Sequence, residues 1–122
     1  MLPSREEACT LQAKCISHKS KAAYGRLQSA HFKTHATSHN RLADSHRLMG
    51  QWYRVKLESA SDALCLHYEL QVRFHMLRAE YHQERFICCQ KMAVEHEKKS
   101  EAHEMLFDYL QHKIARRRIK EE

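Results

Sequence analysis

Histidine is unusually frequent among the side chains with chemical potential in this sequence: there are eleven among 122 residues. His31, His35 and His39 recur at intervals of four, which would line them along one side of a helix. Two imidazoles at that spacing can bind a transition metal through neutral ring nitrogens. A metal site needs a third or fourth ligand, and the neighbouring sequence supplies neither a carboxylate nor a His-Glu-x-x-His motif. The reading is therefore no metal and no cofactor, with the triplet as a polar helix face. His67 falls on an apolar stripe and reads as a hydrogen-bonded packing residue. Exposed histidines titrating near 6.5 would be about three quarters charged at pH 6, so mild acid should make the chain far more cationic.

The cysteines are Cys9, Cys15, Cys65, Cys88 and Cys89. Their number is odd and no Cys-x-x-Cys pair occurs. Adjacent Cys88 and Cys89 could not close an unstrained bridge within a helix. This pattern predicts free thiols in an intracellular reducing compartment, with cytoplasm, nucleus and organelle matrix equally compatible. No cysteine has a local histidine partner, and the chain lacks a Gly-rich loop and a nucleophile elbow. The expectation is a protein that is not an enzyme.

Basic residues make the third group. The formal net charge is +6, and segment 8–43 contains no acid. Its cations are Lys14, Lys19, Lys21, Arg26, Lys33 and Arg41. Lys19, Arg26 and Lys33 are seven apart and share a helix face, while Lys14 and Lys21 form a second row. Arg116, Arg117, Arg118 and Lys120 cluster at the other end of the sequence. Such rows could neutralise phosphates of RNA or another polyanion. The plainer alternative is a solvated face that pairs with the chain's own acids, twelve of whose fifteen lie in 51–122. No zinc finger, RNP-type motif or aromatic interleaving accompanies the basic rows.

The elements that must carry these residues are helices. Only two Gly and one Pro are present, far too few for the tight turns of a sheet protein. The predicted fold is all-α: a single domain over 1–122, either an elongated helical hairpin or a three-helix bundle with long helices, and no β-sheet. Ser4 with Glu7, directly after Pro3, has the form of a capping box and starts the first helix. Three places could break it: Ser38-His39-Asn40, Gly50, and Ser59-Ala60-Ser61-Asp62, itself shaped like a capping box. Taking Gly50 as the stop predicts helices over about 4–49, 52–98 and 101–118, with Ser100 capping the last.

The first helix has a weak apolar stripe of Ile16, Ala23, Leu27 and Ala30, continued by Thr34 and Thr37. The second has a strong one: Ala63, His67, Leu70, Phe74, Leu77, Tyr81, Cys88 and Met92. With Trp52 beside the turn, these residues are the expected helix-packing interface. Further apolar residues widen that helix past half its circumference, which suits a helix touching two neighbours.

No run of 18 apolar residues occurs, so no transmembrane segment is expected. Residues 1–7 lack the apolar core of a signal peptide. The functional expectation is a non-catalytic structural or accessory subunit. It would help build or stabilise a larger macromolecular assembly through helix–helix contacts with other protein subunits or a second copy of itself. The alternative is a basic helical RNA-binding component of a ribonucleoprotein. A peripheral binder of anionic membrane ranks third, because the basic segment lacks large apolar residues that would insert.

Overall fold

The computed structural model describes residues 4–121, with side chains through Arg118. Two helices account for nearly all of it: α1 (Arg5–Glu58) and α2 (Asp62–Glu121), which pack antiparallel as an all-α helical hairpin. No strand occurs among the described residues. The capping box at the start of α1 forms reciprocally. The Ser4 amide donates to Glu7 Oε2 at 3.0 Å, and the Glu7 amide donates to Ser4 Oγ at 3.2 Å.

The break expected at Gly50 is not there, and neither is a second one near residue 100. Both residues lie inside continuous helices. The chain reverses instead at Ser59-Ala60-Ser61. The Ser59 amide donates to the Lys56 carbonyl and the Ala60 amide to the Leu57 carbonyl, tightening the last turn of α1. The Ser61 carbonyl then accepts from the amides of Leu64 and Cys65 at 3.0 Å and opens α2. Gly50 fails as a stop because its missing side chain serves packing: a Cβ there would lie 3.2 Å from Met76 Sδ. Ser100 is likewise a packing residue and not a cap.

The chain divides into two packed units. Unit 1 comprises residues 1–31 and 93–122, and unit 2 comprises 32–92. On α1 the buried positions are Cys15, Ala22, Ser29, Ala36, Ala43 and Gly50, every seventh residue, with Gly25 between them. On α2, Ala79, Ala93 and Ser100 fall on one seven-residue row, and His82, Cys89 and Leu110 on another. Seven-residue spacing on both partners is the pattern of a coiled-coil seam. Here the row on α1 is built of small side chains, so backbones can come close.

The weak stripe expected to be the core face of α1 points the other way. Ile16 is 67 % and Leu27 70 % exposed, and Ala23, Ala30, Thr34 and Thr37 are exposed too. The stripe expected as the packing face of α2 also lies outside the seam: Leu70, Phe74, Leu77 and Tyr81 are each about half exposed or more. The large apolar residues set the apparent face. Many of the residues that meet across the seam are small ones and imidazoles, which contribute little to hydropathy.

Candidate helix-packing surface and histidine seam

In unit 1 the approach of the helices is read directly from bonds to backbone. Ser100 Oγ, buried on α2, donates to the Ala22 carbonyl on α1 at 2.6 Å. The buried Cys15 thiol faces the Phe107 carbonyl at 3.8 Å and accepts from Gln111 Nε2 at 3.3 Å. Gly25 sits where a Cβ would lie 3.0 Å from the His96 carbonyl oxygen and 3.1 Å from Ser100 Cβ. Between these contacts, His18 and His103 meet ring to ring. Their Nδ1 atoms are 2.8 Å apart and their rings stack at 5.1 Å. Burial and then the facing His18 hold His103 below the usual histidine range, with Lys21 adding to the effect.

Ser29 offers a contrast in the same unit. Its hydroxyl is buried with no hydrogen-bond partner. Ser100→Ala should therefore destabilise the protein by about 1 kcal/mol, because it removes a made bond between the helices. Ser29→Ala should be neutral or stabilising, since it removes an unmade bond. Urea unfolding of the two variants beside the parent protein checks the sign of each.

Unit 2 holds two more imidazole pairs. His39 and His82 place their Nδ1 atoms 2.9 Å apart, as do His46 and His75. The pairs are linked, because the His46 ring stacks on His82 at 5.7 Å and 7°. Tyr53 extends the column by stacking on His75 at 5.6 Å, and Tyr68 lies 6.0 Å from Tyr53. In each facing pair one ring donates and the other accepts, so the two carry opposite tautomers. His82 is lowered from the usual range by burial, then by His39, Arg78 and His46. His46 is lowered by burial, then by His75 and Arg78.

His31 and His35 are exposed and His39 is half-buried in its pair with His82. Among the described residues no group of three or more His, Cys, Asp or Glu converges as a metal would require. Lys14, Lys21 and Arg41 are exposed. Lys19 and Arg26 are engaged at home, Arg26 by pairing with Glu104 and Lys19 by lying 5.8 Å over the Phe107 ring. Lys33, Arg116 and Arg118 are exposed, Arg117 is half-buried, and the Lys120 side chain lies outside those described. All five cysteines are free.

Of the expected packing interface, Trp52, Ala63, His67, Leu70, Phe74, Leu77, Tyr81 and Cys88 are exposed, and Met92 is half-buried. Instead of closing the hairpin, the stripe forms an outward apolar surface. The histidine pairs are the feature that the sequence reading missed. Their signal was present, because His18, His39 and His46 differ by multiples of seven, as do His75, His82, His96 and His103. No family model, curated protein or solved structure matches this chain. Among the described residues no helix is long and apolar enough to cross a membrane.

Proposed function

We propose that this protein is a non-catalytic structural subunit that joins other helices of a larger assembly through its outward apolar stripe. The observation that carries the reading is the inversion of side-chain size. Ala, Ser, Gly, Cys and His fill much of the seam, while Leu70, Phe74 and Leu77 stand 54 %, 51 % and 65 % exposed on the outside of α2. Burial stabilises by roughly 25 cal/mol per Å² of apolar surface, so a seam of small residues contributes little for its length. A contiguous exposed apolar patch is the usual mark of a protein–protein contact. Free thiols fit a reducing compartment.

The RNA-binding alternative rests on the exposed Lys14, Lys21, Lys33, Arg41, Arg116 and Arg118. It is weakened because Arg26 and Lys19 are occupied within unit 1. Gradient sedimentation of the endogenous protein from gentle extracts separates the two readings. The expected result is a large particle that nuclease leaves intact. In that setting Leu70→Gln, Phe74→Gln and Leu77→Gln together should release the chain to the free position without loss of far-ultraviolet helicity. A wild-type chain that already sediments alone would sink the proposal, as would a triple variant that stays in the particle. Collapse of the particle under nuclease would transfer the case to RNA.

A further inference from the structure

We propose that the four imidazoles of unit 2, His39, His46, His75 and His82, form an acid-released clasp that holds α1 against α2 near neutral pH and lets go in mild acid. The geometry sets this behaviour. In a neutral pair one ring donates its Nδ1 hydrogen to the other Nδ1 across 2.9 Å. A first proton can enter at the free Nε2 of the donating ring and leave that bond intact. A second must enter at the accepting Nδ1. It then places hydrogens on both facing nitrogens and two positive charges in contact. The rings have little room to turn away: His82 is buried, His46 is stacked on it, and His75 is stacked on Tyr53. The residues lying between the paired rings on each helix, Ala43 and Ala79, are themselves buried.

The groups facing the cluster do not offset added charge. From α1 they are Asp44, Arg47 and Tyr53. Asp44 is drawn to Arg47 at 2.7 Å, and Arg47 also bonds Gln83 on α2 at 2.8 Å. From α2 they are Arg78, which lies 5.3 Å over the Tyr81 ring, and the phenols Tyr68 and Tyr81. Among the described residues none of the four imidazoles pairs with a carboxylate. In the unfolded chain all four would titrate independently near 6.5. The unfolded state therefore binds more protons in acid, and stability must rise with pH across that interval. Burial and the facing rings lower His46 and His82, which agrees in sign. The contribution is present above about 6.5 and is lost as pH falls through the lowered values.

The test is thermal unfolding of the full chain followed by circular dichroism between pH 7.5 and 5.5. The midpoint should fall by about 10 °C. His39→Asn with His46→Asn leaves one ring in each pair and should at least halve that fall. His67→Gln with His112→Gln, on exposed rings, should leave it unchanged. Imidazole titration by nuclear magnetic resonance on the unmodified protein gives a readout that does not depend on variant folding. There the His46 and His82 rings should titrate below the ordinary histidine range. A midpoint that is flat over the interval overturns the clasp. So does a fall equally large in both double variants, or His46 and His82 transitions at the ordinary histidine value.

Discussion

Ala43→Leu should destabilise the protein by roughly 3 kcal/mol, at the upper end of what overpacking a filled interior does. Ala43 has no exposed surface, and Ala79 on α2 is buried likewise. The imidazole pairs on either side, His39 with His82 and His46 with His75, fix the gap into which the extra carbons would have to fit. Helix propensity cannot hide the effect, since Ala and Leu differ by only a few tenths of a kcal/mol. The matched control is Ala23→Leu, on the exposed face of α1, which should move stability by no more than about 0.5 kcal/mol. Urea midpoints of the two variants measure the contrast. Equal midpoints would mean that the seam is not where the small residues lie.

The two glycines should respond to the same substitution with opposite signs. In a helix interior Gly→Ala ordinarily stabilises by about 1 kcal/mol. At Gly50 the new methyl meets the thioether of Met76 at 3.2 Å, the far end of a flexible side chain that can shift. Gly50→Ala should therefore keep most of the gain. At Gly25 the nearest atom is the His96 carbonyl oxygen at 3.0 Å, and Ser100 Cα and Cβ stand just behind it. Backbone cannot step aside without parting the helices, and the Ser100–Ala22 bond at 2.6 Å would stretch with them. Gly25→Ala should lose about 2 kcal/mol net, in the range of overpacking elsewhere. Thermal midpoints of the pair provide the check, and a shift of the same sign in both would refute the close approach at Gly25.

Much of the architecture was legible before any coordinates. Two Gly and one Pro in 122 residues leave helix as the only regular structure, and the Ser4–Glu7 box formed where it was expected. The turn was legible too, because Ser59-Ala60-Ser61-Asp62 carried a start signal. Gly50 offers a competing stop, because glycine often ends helices. It also admits a second helix, and the local sequence cannot distinguish these two uses. The facing surfaces were misread for a related reason. Leu70, Phe74 and Leu77 dominate any hydropathy pattern, whereas Ala36, Ala43 and Gly50 carry almost no weight in it. Histidines at intervals of four mark one face of a single helix, whereas the intervals of seven that matter here show only when two helices are set side by side.

The evenness of the seam raises the question of register. Within unit 2, a slip of one heptad would still set His39 against His75, but it would leave His46 against Tyr68. The histidine repeat thus favours the observed alignment by one imidazole pair. The three residues between Glu58 and Asp62 make the selection. A reversal that short has no slack, and a slip would have to unwind several residues from the helix ends that flank it. The turn is in effect the gauge that sets which rung meets which. Lengthening it would loosen that choice, and the two imidazole pairs of unit 2 would change with it.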